Sequence, residues 1–501
     1  MMKRLLLIIA ALVAGGSVQG ISHPSSSSSV ALTNSIIKQR QKTTQRRVNA
    51  AAAAEFGPRA AEILCARGGD VNSVETNENK PPPSIYWAVL HNWLYFVSLG
   101  FNLINIQFLI REIIDGDAKG TPSPRSIALS GKVESVDKLL TFLGVGFLAS
   151  LSDKHGRKPL MIWSSLGFAL TNLIQATTKN SVAMLYLADF VDGCSSCMLP
   201  LCQAFIADVS EPAKLAANLG VFQGLSAGGA FILAFPIGGL LGVKFGPRLP
   251  LLIAAGLQIL NALILLIFTP ESNKTKSTKL DLSEANPIGA LKKLFGHAPI
   301  LRTAAMVYFL ASLARNSLDA QFANYASLRF GWTQAQSGPV LVLVGMMLAI
   351  APRLFIKHFG IHKAILTGLL TFGFGLTFAG LSPSPPPFIF GIFITAIGCM
   401  CLPALQSVLA NLAKPGERGA LLGAVGSLTE LTGAIGSTLY AVILANFTAD
   451  GALLGGKFPG AHFFVASSLL LLGWGIAVHG FNPNKDHPAL KGGVQVEDYE
   501  I

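Results

Sequence analysis

From Tyr86 onward the chain alternates between long apolar runs and short polar stretches. Twelve apolar spans are read, at 86–110, 136–152, 159–177, 182–207, 219–243, 249–268, 300–324, 337–356, 362–381, 387–411, 419–446 and 461–480. Most reach the ~20 residues that a helix needs to cross ~30 Å of hydrocarbon. The runs do not alternate as barrel strands do, and lipid offers no partner for an open strand edge, so the spans are predicted to be helices. Span 136–152 is short, and spans 86–110 and 300–324 contain charges.

The polar stretches orient the spans. Lys154, Arg157 and Lys158 separate spans 2 and 3, Lys357 and Lys363 separate spans 8 and 9, and the 269–299 connection holds five Lys. With twelve spans these loops share one side, predicted to be the cytosol or its equivalent. The opposite stretch from Glu112 to Lys138, read as a loop, carries five acids and four bases.

The two halves of the span region repeat. At an offset of 203, Leu199-Pro200 meets Leu402-Pro403, Gln203 meets Gln406, Pro212 meets Pro415, Leu219-Gly220 meets Leu422-Gly423, and Lys154-His155 meets Lys357-His358. Two six-span halves related by parallel duplication are a transporter plan, with the solute site at their interface near mid-membrane.

Composition narrows the class. Charged residues make up 13% and apolar types 51%, where a soluble domain averages ~25% charged, and this excludes a soluble globular protein. The net charge of +12 raises the question of nucleic acid, but residues 1–54 hold seven bases and no acid, and the remaining charge lies mostly in short loops. That placement follows the positive-inside rule and argues against a nucleic-acid partner. Five of the six cysteines sit inside apolar runs, so no disulfide framework is read.

Ahead of the spans, residues 1–20 read as a signal peptide: Lys3-Arg4, an apolar core from Leu5 to Ala14, and the small-residue end Val18-Gln19-Gly20. Residues 21–84 run from Ser25–Ser29 through the bases Lys38, Arg40, Lys42, Arg46 and Arg47 to Ala50–Ala54, ending in Pro81-Pro82-Pro83. They read either as a transit-like segment or as a disordered tail, giving two locations, a plastid envelope or a secretory-pathway membrane. The expected division is then 85–268 for the first bundle, 269–299 for a cytosolic linker, 300–480 for the second bundle and 481–501 for a tail.

The stretch Asp153-Lys154-His155-Gly156-Arg157-Lys158 resembles the signature loop between helices 2 and 3 of the major facilitator superfamily, with Ala149 where the family has a leading Gly. Asp208-Val209-Ser210-Glu211-Pro212 resembles the helix 4–5 loop of that superfamily. Gly419-Ala420-Leu421-Leu422-Gly423 resembles the start of helix 11 in its tetracycline-resistance-like and hippocampus-abundant-transcript-like branch. The resemblance implies an all-α membrane protein with the major facilitator fold, twelve transmembrane helices in two pseudo-symmetric six-helix halves. Two departures stand out. Pro236 is displaced from the antiporter motif of helix 5, and an acid, Asp189, stands near the place of a common helix 4 base.

Ionisable groups inside hydrocarbon cost roughly 2.5–3.5 kcal/mol each on insertion scales, so each needs a reason. Asp189 and Asp192 lie i,i+3 on helix 4, Glu430 lies near mid-depth in helix 11, and all three are candidate proton carriers or structural pairs. Arg315 and Asp319 lie i,i+4 on helix 7 and can pair as a gate. Helix 1 brings His91, Asn102 and Gln107, which line a wet cavity or bond across helices. Cys194-x-x-Cys197 reads as packing rather than metal or redox chemistry, and no nucleophile–base constellation appears. The expectation is a secondary transporter for a small organic solute, proton-coupled, monomeric, without cofactor or metal and not an enzyme. A receptor or scaffold of the same fold is the alternative.

Overall fold

The computed structural model describes residues 83–118, 120–210, 218–219, 221–222, 224–273, 286–296, 298–412, 418–449 and 458–491. The expected signal and transit-like segments, apart from Pro83 and Ser84, lie outside these residues, as do much of the 269–299 linker and of the 481–501 tail.

Every regular element among the described residues is helical. The first half consists of α1 (Ile85–Asp115), α2 (Pro124–His155), α3 (Arg157–Thr177), α4 (Val182–Ser195), α5 (Met198–Val209), a π-turn (Gly224–Gly228), α6 (Gly229–Phe245) and α7 (Arg248–Ile267). After α8 (Pro287–Gly296) come α9 (Pro299–Asp319), α10 (Phe322–Phe330), α11 (Gln334–Leu381), α12 (Pro385–Gly398), α13 (Cys401–Asn411), α14 (Arg418–Asn446), α15 (Ala461–Phe481) and a final turn, α16 (Pro488–Lys491).

Among the described residues the twelve apolar spans fall largely on helices, and nine helices are long and apolar enough to cross a membrane. The three others, α3, α9 and the part of α11 before Gly360, are more polar but pack in the same bundle. Large apolar side chains such as Leu240, Leu266, Phe374 and Leu381 are exposed, as lipid-facing residues are. The protein is an integral multi-pass membrane protein.

Two boundaries differ from expectation. The stretch read as a loop to Lys138 is helical from Pro124, so α2 has 32 residues rather than a short span. Ser130, Gly131 and Ser135 lower its hydropathy because that face meets the other half of the protein rather than lipid. The true loop is closed by Asp115, whose carboxylate accepts from Ser123 Oγ at 2.5 Å and Ser126 Oγ at 2.8 Å. Ser123 then caps α2 through the Ser126 amide, with Pro124 at the first helical position. Spans 8 and 9 run together as α11, turning at Gly360, whose φ of 77° is open to glycine.

The repeat extends to helix breaks. Spans 4 and 10 are each split: α4 ends at Ser195 and α5 starts at Met198, while α12 ends at Gly398 and α13 starts at Cys401. Both pairs keep the 203-residue offset. Pro200 and Pro403 lack the N–H that would continue each helix and crowd the carbonyl four residues back, which accounts for a break at the same place in both halves.

Each half has its own interior. Among the described residues the largest apolar cluster draws on residues 294–490, with Ile127 the one fully buried contribution from the first half, and four others lie within 88–265. Among the described residues, the side-chain bonds between halves join Gln107, Arg111, Ser130, Gly131, Ser135 and Lys138 to α10 and α14. Gly131 is pressed against the Ser437 carbonyl and Ala441, and Gly338 faces the Phe235 carbonyl at 2.7 Å, measured from where a Cβ would stand. These contacts lie between mid-depth and the end away from the basic loops, called the outer end below. The halves are fastened there.

Candidate solute site between the halves

At the inner limit of that seam Lys138 reaches two carboxylates. Its Nζ lies 3.4 Å from Asp137 Oδ2 on its own helix and 3.4 Å from Glu430 Oε2 across the interface. Lys138 lies fourteen residues into α2 and Glu430 twelve into α14, or about 21 and 18 Å along their helices. The pair is therefore near mid-depth, with about a third of each side chain exposed. Asp192 lies in the electrostatic field of Asp137, Asp189, Lys138 and Glu430, and Tyr95 shares the field of Asp192, Asp137 and Lys138.

Three predicted residues thus converge. Glu430 pairs with Lys138, and Asp189 and Asp192 lie within the electrostatic field of that ammonium, which stands where the stretch read as a loop meets span 136–152 and was given no role there. Glu134, Asp137 and Lys138 lie at i, i+3 and i+4 of a helical face, and that spacing was the available signal. Asp189 is held in place by a relay: Gln175 donates to it at 3.2 Å, and Asn102 donates to Gln175 at 2.7 Å and to Asn172 at 2.9 Å.

The remaining candidates separate. Asn102 is committed to that relay inside the first half. Gln107 accepts from Asn324 at 2.9 Å in the outer seam. Arg315 and Asp319 pair at 2.9 Å, with both side chains more than a third exposed, and Asp319 also acts on Glu134 across the halves. His91 is fully buried with both ring nitrogens bonded, to Asn261 and Thr269 at 2.7 Å each, which makes it a packing residue. Cys194 and Cys197 are free thiols, the first exposed and the second buried at the helix break.

The signature loop forms a closed set of bonds within the first half. Arg157 Nη1 contacts Asp153 at 2.5 Å and Ser152 Oγ at 2.6 Å, and its Nε reaches Asp208 at 3.2 Å. Glu271 was not foreseen. It accepts from the backbone amides of Arg157 at 2.9 Å and Lys158 at 3.1 Å, supplying the negative charge that a helix N-terminus favours. Gly156 has φ 109°, and a Cβ there would run into the Glu271 carboxylate. Lys158 Nζ donates to the Leu266 and Thr269 carbonyls at 3.0 Å, at the end of α7, while Lys154 is exposed.

The Major Facilitator Superfamily family pattern matches residues 135–363. The class C tetracycline resistance protein of Escherichia coli is 28% identical over 70% of this chain and 86% of its own. A hippocampus abundant transcript-like protein 1 from Bos taurus is 23% identical over 90% of each chain. The chain is similar to the major facilitator superfamily across residues 135–363. Among solved structures, the human organic anion transporter MFSD10 (TETRAN) aligns with a TM-score of 0.61 at 22% identity, over 79% of this chain and 100% of that one. An inward-facing bacterial homolog of the human lysosomal transporter Spinster aligns with a TM-score of 0.62 at 16% identity, over 79% and 96%. These likenesses establish the major facilitator fold of two six-helix halves. The pattern and these relatives together point to a membrane transporter rather than an enzyme.

Proposed function

We propose that this transporter is a secondary carrier, moving a small organic solute by alternating access with a proton as coupling ion. The observation that carries the reading is the Lys138–Glu430 pair, an ion pair at mid-depth whose partners belong to different halves. A charge pair in that position is costly, which makes a functional role its default reading. With Asp137, Asp189 and Asp192 close by, Lys138 has alternative carboxylates when Glu430 moves away or takes up a proton. Asp189, Asp192 and Glu430 are the proposed coupling acids, and Arg315 with Asp319 the proposed pair at the outer side of the pocket. Gln107 acts in closure, Asn102 by positioning Asp189 through Gln175, and the Asp153–Arg157 set by keeping the first half rigid on the basic side. The protein works as a monomer on this reading, with 85–268 and 300–480 as the moving bundles.

The basic residues in 1–54 support a membrane of the plastid envelope or the secretory pathway, and a fluorescent tag on 1–84 distinguishes them. The mechanism is tested in liposomes holding purified protein. Solute flux driven by an imposed pH step, and lost in Glu430→Gln, is expected. Flux indifferent to the pH step, with Glu430→Gln fully active, would remove the proton, and absence of any solute flux would favour a receptor or scaffold.

A further inference from the structure

The cost of a buried charge draws attention to a residue that the coupling scheme leaves unused. Arg111 on α1 is 1% exposed. Its Nη1 donates to the Gly120 carbonyl at 2.7 Å and to Ser327 Oγ of the second half at 2.8 Å. Phe108 lies under the guanidinium at 4.6 Å. Its other edge, Nε and Nη2, has no hydrogen-bond partner, and among the described residues no carboxylate pairs with it. Asp115 and Asp117 act on it through space, and both oxygens of Asp115 are taken by Ser123 and Ser126. Around it the seam is rich in donors. Asn324 gives its amide to Gln107, Ser130 and Gln321, and the Gln321 Nε2 is buried without a partner.

We infer that the free edge of Arg111 is a docking site for a carboxylate, reached when the halves part at the outer end. The inference rests on the alternating-access reading above. Nε and Nη2 form the fork that accepts two carboxylate oxygens side by side, a fit that an ammonium does not offer. Gly120 and Phe108 belong to the first half, so they hold the guanidinium in place when Ser327 leaves with the second. The guanidinium then presents two preset donors at the mouth of the pocket. It lies about 12 Å outward of Lys138, the span on α2 from Ser130, which bonds Asn324 beside it, to Lys138. A solute carrying a carboxylate is the ligand class that matches, and a small inorganic anion such as chloride is the competing source of charge.

The test uses the full chain in lipid nanodiscs, with sodium benzoate as probe and sodium chloride as comparison, followed by calorimetric titration. Saturable benzoate binding is expected in the wild type, at least tenfold weaker in Arg111→Lys and absent in Arg111→Gln. Because Arg111→Gln disturbs the seam, Ser327→Asp serves as the second variant. It retains the guanidinium but supplies an internal carboxylate, and it is expected to abolish benzoate binding while raising the unfolding temperature. Benzoate that binds no tighter than chloride, that still binds Arg111→Gln or Ser327→Asp, or that does not bind the wild type would overturn the assignment. Labelling of Gln321→Cys by an impermeant maleimide from the outer face separates the two levels of the argument. Labelling without benzoate binding defeats the carboxylate site alone, and no labelling defeats the parting of the halves and this inference with it.

Discussion

Lys138 and Glu430 meet 3.4 Å apart from opposite halves of the protein, near the middle of the membrane. Charge matters more than shape here, because Glu430→Gln keeps the volume and removes the counter-ion. Lys138 retains Asp137, so the expected loss of stability is about 1–2 kcal/mol, less than the ~3–5 of a fully buried pair left with one member. Lys138→Ala is expected to cost more, since it leaves two carboxylates facing each other without their cation. The comparison is made by thermal unfolding of the purified variants in one detergent, and equal losses would contradict this account of the pair.

At Gly131, α2 lies directly against α14. Gly131→Val places a branched side chain against the Ser437 carbonyl and Ala441. The fold inside each half is untouched, so the expected effect is an outer end that cannot close. Thiol labelling of a cysteine at Ser130 from the outer face is expected to rise several-fold. Unchanged labelling would mean that the seam has slack.

On the basic side, Gly156→Ala combines a strained φ with a clash against Glu271, and Glu271→Ala uncaps α3. Expected losses are about 1–3 kcal/mol for the first and about 0.5–2 for the second, read from unfolding temperatures. The double variant is expected to lose less than the sum, because the clash disappears with Glu271. Strict additivity would show that the two residues do not interact.

Much of this arrangement was legible along the chain. Span length and apolarity reveal helices because lipid leaves the backbone no other way to satisfy its hydrogen bonds. The 203-residue offset was visible in Leu199-Pro200 and Leu402-Pro403, and the structure adds that those prolines split their helices at matching places. Partners were not legible. Glu271 and Arg157 are 114 residues apart, and nothing local in either stretch announces that one caps the helix of the other. The first turns of α2 were misjudged for a physical reason: a helix face turned toward a second protein half carries serines and charges that hydropathy reads as a loop.

The paired breaks have a mechanical consequence. Replacing Pro200 or Pro403 by Ala restores an N–H donor and allows α4–α5 or α12–α13 to run on as one helix. Slower amide exchange around residues 196–200 or 399–403 is expected, together with a lower rate of solute flux and no loss of stability. Exchange that is unchanged would place the origin of the breaks elsewhere.

The parting and closing of the halves can be read most directly as two distances in one sample. Spin labels at Ser123 and Arg329 report the outer end, and labels at Lys154 and His358 report the basic end, each pair in a chain cleared of native cysteines and held in nanodiscs. Shifting the population with pH or solute is expected to lengthen one distance while the other shortens. Two distances that stay fixed, or that lengthen together, would contradict alternating access.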